Sequence, residues 1–310
     1  MNCRTDHNAT KGGAKLEPRR SKRLLEGISF LATKIPFGVA QCFFAAIGSF
    51  LYGLLLLTPH RRLLANRIQH ALQTSLWESH GVAAAHVRLM FESLVEIVRL
   101  NEEPASLLKT RVAIFGVENL EAALAQGKGV IILSAHFGNW ELIAPKLSLM
   151  HYSVTAVMQP MPNKVFDSFF RQLRATTGTT IIDNNRGGIR QGMQTLRQNG
   201  LLLLLADQHP FTAAPEIEFL GHNTPIQTGP ALLALATGAT IIPTFCIREK
   251  RGYHRIVMEK PLDYIPEGDK AADVDRICRL YHQVYERYIK EHPDHWLWFH
   301  DRWLIGRNQS

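Results

Sequence analysis

No stretch constrains this chain more than Gly129-Val130-Ile131-Ile132-Leu133-Ser134-Ala135-His136-Phe137-Gly138-Asn139-Trp140-Glu141. Its first half is continuously apolar, without the alternation of a half-exposed strand. It reads as a strand covered on both faces, the kind found in parallel sheets with helices on either side. After Glu141 the spacing of Leu142, Ile143 and Leu147 predicts a helix, with Pro145 in its early turns. A buried strand that feeds a helix delivers its last residues to the carboxyl edge of a sheet, where open α/β folds keep their sites. The same rhythm recurs along the chain. Strands are predicted at 112–116, 152–158, 179–182, 201–206, 240–246 and 253–262, with helices at 117–127, 162–177, 188–197 and 273–292. The expected fold class is α/β, a mostly parallel central sheet flanked by helices. Pro243 inside a strand predicts a bulge or an interruption beside the site.

The spacing of His136 and Glu141 carries chemistry. On one straight helix, residues five apart point about 140° away from each other. The two converge only if Phe137-Gly138-Asn139 bends before the helix starts, and a glycine permits that bend. His136 would then act as a general base near neutral pH, with Glu141 fixing its tautomer and stabilising the imidazolium. The alternative is a capping turn around a hydrogen-bonded histidine. At the end of the 201–206 strand, the Asp207 carboxylate points into the same crevice as His136.

His-Phe-Gly-Asn-Trp-Glu after an apolar strand resembles the late acyltransferases of lipid A biosynthesis, the lauroyl/myristoyl acyltransferase family. The likeness runs from about residue 60 to about residue 305. It takes in Val117-Glu118-Asn119-Leu120-Glu121, the Asp207-Gln208 pair, Ile217 to Gly221, Thr228-Gly229-Pro230 and the Trp-rich phrase from His295 to Trp303. The resemblance implies direct acyl transfer from an acyl-carrier-protein thioester to a hydroxyl of a lipid A precursor, with no metal and no cofactor. His136 and Glu141 are the implied catalytic pair. Arg174 matches the family's arginine after the His motif, with Arg171 as runner-up; guanidinium geometry suits phosphate. Either arginine also reads as a solvated residue on the polar side of its helix. Asp207 and Gln208 are implied acceptor-binding or supporting residues. Gly138 and Asn139 in the bend join them, through backbone N–H groups aimed at an oxyanion or phosphate. His209 departs from the family's frequent acidic residue. The 217–221 segment reads as a loop packed near the site.

From Ile35 to Pro59 there is no charged residue. About 20 helical residues suffice to cross a hydrocarbon core, and the exit Leu57-Thr58-Pro59-His60-Arg61-Arg62 is unlike a signal-peptide cleavage site. The expected organisation is a basic arm over 1–34, densest at Arg19, Arg20, Lys22 and Arg23, then a membrane-embedded helix over 35–57, then an acyltransferase domain over 58–310. A formal net charge of +8 calls for an anionic partner. The expected partners are the acyl carrier protein, the anionic acceptor lipid and the membrane, with no nucleic acid. Cys3, Cys42, Cys246 and Cys278 have no Cys-x-x-Cys spacing, which suggests neither a zinc site nor a disulfide framework. Orientation is contradictory. The positive-inside rule puts the N-terminal flank in the cytoplasm and the domain outside, whereas a carrier-protein donor needs the domain on the cytoplasmic face of the inner membrane. A re-entrant or monotopic segment satisfies both. Three rival functions stay open: acylation of another glycolipid or a lysophospholipid, a metal hydrolase using His136, Glu141, Asp207 and His209, and a non-catalytic membrane adaptor.

Overall fold

The computed structural model of this chain describes residues 33–210 and 214–303, together with Arg23, Gly27 and Ser29. Arg19, Arg20 and Lys22 of the basic arm lie outside the described residues. Helices α1 (Phe37–Leu55), α2 (Leu63–Leu72), α3 (Leu76–Glu102) and α4 (Pro104–Arg111) lead into strand β1 (Val112–Phe115). Then α5 (Val117–Leu124), β2 (Val130–Ser134), α6 (Ile143–Leu149), β3 (Val154–Met158), α7 (Lys164–Thr176), β4 (Thr179–Asp183), α8 (Arg186–Arg197) and β5 (Leu201–Leu205) alternate. The chain continues through β6 (Glu216–Phe219), β7 (His222–Pro225), α9 (Gly229–Thr237), β8 (Thr240–Arg248), β9 (His254–Met258) and α10 (Lys270–Glu291).

Seven strands form one sheet in the order β1-β9-β8-β2-β5-β3-β4. From β8 through β4 every pairing is parallel. Strand β9 runs against β8, and β1 follows β9. The expected mostly parallel α/β sheet is present. Strand β2 sits near its middle, and the reason for its unbroken apolar run is visible. Ile131 and Leu133 pack with Leu202, Leu204 and residues of α9 and α10 on one face. Val130 and Ile132 pack with Leu201, Leu203 and residues of α5 and α6 on the other. All four are fully buried, and each such side chain contributes about 1.5–3 kcal/mol relative to exposure.

Two local expectations change in detail. The 217–221 segment is part of an antiparallel hairpin, not a loop: Glu216 to Phe219 pair with Pro225 to His222. Leu220 and Gly221 both have positive φ, 51° and 77°, which is what a two-residue turn matching the strand twist needs. Pro243 stays inside β8, but the ladder with β2 stops there at Leu133↔Pro243. It resumes as a single bridge between Gly138 and Cys246. The gap between them is where the chain carrying His136 bows out of the sheet.

Candidate functional site

Parallel pairing makes the site. Ser134 at the end of β2 is in register with Leu205 at the end of β5. Each strand continues with one alanine, Ala135 or Ala206, and then a polar residue, His136 or Asp207. Two equal offsets from a registered pair bring those side chains to the same edge. His136 Nδ1 lies 2.8 Å from Asp207 Oδ1, and the other carboxylate oxygen accepts the Trp296 indole N–H at 2.9 Å. Asp207 is buried. Burial by itself would raise its carboxyl, but the neighbouring His136 and the hydrogen bonds from His136 and Trp296 hold it below the ordinary value. An anion bound to Nδ1 fixes the Nδ1–H tautomer and leaves Nε2 as the basic nitrogen. The Trp140 ring stands edge-on to the imidazole, 5.1 Å between centroids.

The bend that frees His136 is clamped by the C-terminal tail. Leu297 N–H donates to the His136 carbonyl at 3.0 Å, and Gly138 N–H donates to the His295 carbonyl at 2.9 Å. Behind them the Tyr285 hydroxyl donates to the Ser134 carbonyl at 2.8 Å. The Gly138 N–H is therefore committed to the fold and is not aimed at an oxyanion. Gly138 has φ +58°, and a Cβ there would sit 1.8 Å from the Cys246 carbonyl oxygen. Gly138→Ala is expected to lower the unfolding free energy by at least ~2 kcal/mol in denaturant melts, through left-handed strain plus the backbone collision. Asn139 also faces inward: its side chain donates to the buried Glu96 carboxylate at 2.8 Å.

Glu141 does not reach His136. It lies beyond the bend in the short 3₁₀ turn Trp140–Leu142, where the fork of Arg174 takes both of its oxygens, at 3.0 Å from Nε and 2.6 Å from Nη2. The Trp140 indole N–H adds a third bond at 3.1 Å. The carboxylate on the histidine is thus Asp207, in the place expected for Glu141. Arg174 still lines the cavity beside His136. Arg171 is occupied by Asp167 and Asp183 at 2.8 and 2.6 Å. Gln208 lines the cavity, and its carbonyl accepts from the Gln227 side chain at 3.1 Å. His209 Nδ1 is paired with the Pro210 carbonyl at 2.7 Å, so the four residues of the hydrolase reading do not converge.

His136, Trp140, Arg174 and Gln208 border a cavity of about 530 Å³. Beneath them it is walled by Ile182, Ile189, Leu202, Leu204 and Leu233. Leu202 and Leu204 lie on β5 ahead of Gln208, so the apolar wall runs back along the strand from the polar rim. A polar rim with a base over a deep apolar slot suits a long-chain substrate whose reactive group stops at the rim. A second depression, of about 450 Å³, lies beside Tyr152 and Gly178 and brings no comparable pair together. Trp296 and Glu96 escaped the sequence reading; both act through contacts far apart in the chain.

A family model described as bacterial lipid A biosynthesis acyltransferase matches residues 27–305. A phosphatidylinositol mannoside acyltransferase of Mycobacterium tuberculosis (strain ATCC 25618 / H37Rv) is 30% identical over 199 residues, 63% of this chain and 61% of that protein. The match thus spans about three-fifths of that relative's length. One from Mycolicibacterium smegmatis is 24% identical over 67% of this chain and 68% of its own. The lipid A biosynthesis lauroyltransferase of Escherichia coli (strain K12) is 24% identical over 61% of this chain and 60% of its own.

Proposed function

Because the chain belongs to the bacterial lipid A biosynthesis acyltransferase family, we propose that it moves a fatty acyl group from an acyl-carrier-protein thioester onto a hydroxyl of a lipid A precursor. The observation that carries this reading is the His136–Asp207 pair at the rim of an apolar cavity. His136 Nε2 takes the proton of the acceptor hydroxyl as its oxygen attacks the thioester carbonyl. Asp207 holds the ring and stabilises the imidazolium. Collapse of the tetrahedral intermediate breaks the carbon–sulfur bond, and the imidazolium returns its proton to the departing thiolate. The acyl chain occupies the slot between α8, α9 and β5. Arg174, steadied by Glu141, supplies positive charge beside the rim for a phosphate or for the developing oxyanion. The basic surface meets the acidic carrier protein and the anionic lipid. The reaction runs at the cytoplasmic face of the inner membrane, with the 58–310 region as catalytic domain and the 35–57 segment embedded in lipid.

A second acceptor has a specific observation in its favour. Three matched relatives bear the name phosphatidylinositol mannoside acyltransferase, two of them, from two strains of one species, at 30% identity. A mannosylated phosphoinositide offers the same chemistry, a sugar hydroxyl near a phosphate.

The test is an assay of the purified full chain in detergent, with acyl-carrier-protein thioesters and either a tetra-acylated lipid A precursor or a mannosylated phosphoinositide. Transfer to the first supports the reading, and transfer to the second alone moves the acceptor assignment. Absence of transfer to either, or full activity in His136→Ala, overturns it. In the same assay Glu141→Ala and Arg174→Ala are expected to lower kcat/KM by similar factors. The double variant should lose little more than either single one, because the two side chains act as a unit.

A further inference from the structure

Helix α1 has 19 residues and none is charged. At 1.5 Å per residue its length approaches the thickness of a hydrocarbon core, and among the described residues it alone has the length and hydropathy for a crossing. Its packing argues for another placement. Ala40, Gln41, Phe44, Gly48 and Tyr52 are buried along one face, at helical spacing and over nearly the whole helix. The Gln41 side chain donates to the Glu96 carboxylate at 2.7 Å, and the Tyr52 hydroxyl meets His80 Nδ1 at 2.8 Å. Between them a Cβ on Gly48 would lie 3.0 Å from the Phe91 ring. Residue numbers rise along α1 as they fall along α3, so the two helices lie antiparallel and side by side.

A spanning α1 would have to carry α3 into the hydrocarbon. Level with the middle of α1, α3 bears Arg88, more than half exposed, beside Glu92 at 4.0 Å. Hydrocarbon expels such groups unless they face a water-filled interior. The outer face of α1 is different. Val39, Phe43, Phe50, Leu51 and Leu54 are 42–65% exposed, and Leu57 is 84% exposed. Contiguous exposed apolar surface of this kind marks an interaction site. Along the sequence its flanks carry charge of one sign: no Asp or Glu occurs from Gly27 to Trp77. Lys34 is exposed at one end of the helix, and Arg61 and Arg62 at the other. An apolar stripe with cations at both ends fits the interface of an anionic leaflet.

We propose that α1 lies in the plane of the membrane, its outer face seated in an anionic phospholipid leaflet and both of its ends on the same side. The proposal stands apart from the reaction. To test it, the full chain with Cys3→Ser and Cys42→Ser is given a single exposed cysteine, at Lys34→Cys or at Arg61→Cys. The remaining Cys246 and Cys278 are buried. Each variant is treated with a membrane-impermeant maleimide in spheroplasts and in sealed inverted vesicles. Both positions are expected to react only in the inverted vesicles; reaction from opposite sides would overturn the proposal. Separately, Phe43→Glu combined with Phe50→Glu changes two exposed positions and should leave the thermal melt unchanged. It is expected to weaken partition onto phosphatidylglycerol-containing vesicles at least tenfold. Undiminished binding of that variant overturns the proposal. So does a wild-type dimer that the variant dissociates while vesicles bind neither form, which would make this face a contact between copies.

Discussion

Replacing Asp207 by asparagine is expected to lower kcat for acyl transfer by about 10²–10⁴-fold, the range that general-base machinery typically supplies. Asparagine has nearly the same shape, so the bond from Trp296 and the packing at the ends of β2 and β5 can persist. What is lost is the negative charge on Nδ1. With an amide there, the ring is no longer held as the Nδ1–H tautomer, and an imidazolium formed during attack has no anion beside it. The loss should therefore fall on kcat more than on KM. The stability consequence has a definite sign. The folded Asp207 carboxyl lies below its ordinary value, so wild type gains stability from it above about pH 4 and loses it as acid protonates the folded carboxylate. Asp207→Asn should flatten that acid limb in melts recorded from neutral to acid pH. A variant with wild-type kcat would show that another group orients His136.

The strand, the bend and the parallel sheet were legible in the sequence because each depends on a local pattern. The run from Val130 to Leu133 is apolar on both faces, and Gly138 is the one residue in the bend that tolerates its left-handed turn against the Cys246 carbonyl. The partner of His136 was less legible. A carboxylate five residues away looks like a neighbour on paper, but Trp140–Leu142 turns Glu141 toward α7, where Arg174 takes it. Asp207 is 71 residues away and meets His136 only because β2 and β5 are adjacent and in register. One signal was present: Ser134-Ala135-His136 and Leu205-Ala206-Asp207 follow two apolar strands at the same offset. The Trp-rich tail holds a second such long-range contact. Trp296 and Trp298 are buried, and Trp296 also reaches Asp207, a contact that no local pattern encodes.

Glu96→Ala is expected to cost about 3–5 kcal/mol of stability, the loss typical of removing one member of a buried charge pair. Glu96 is fully buried on α3. Its carboxylate accepts from Gln41 on α1 and from Asn139 in the bend after β2, at 2.7 and 2.8 Å. It pairs with Arg248, and His254 Nε2 lies 3.0 Å away. Burial pushes the Glu96 carboxyl up, but His254, Arg248 and the hydrogen bonds pull it down to about 2. The folded value is below the unfolded one, so this stabilisation is full above about pH 4.5 and disappears as pH falls toward 2. In Glu96→Ala the buried Arg248 keeps, among the described residues, Glu92 at 3.4 Å from its Nη1, and Asn139 loses this acceptor. Glu96→Gln keeps the shape and an oxygen for Asn139, so it should lose less stability than alanine while flattening the same acid limb. If Glu96 holds the bend that presents His136, kcat should fall in Glu96→Ala even at temperatures where the variant is fully folded, and Glu96→Gln should restore much of it. Equal kcat in all three proteins would confine Glu96 to joining α1, α3 and β8.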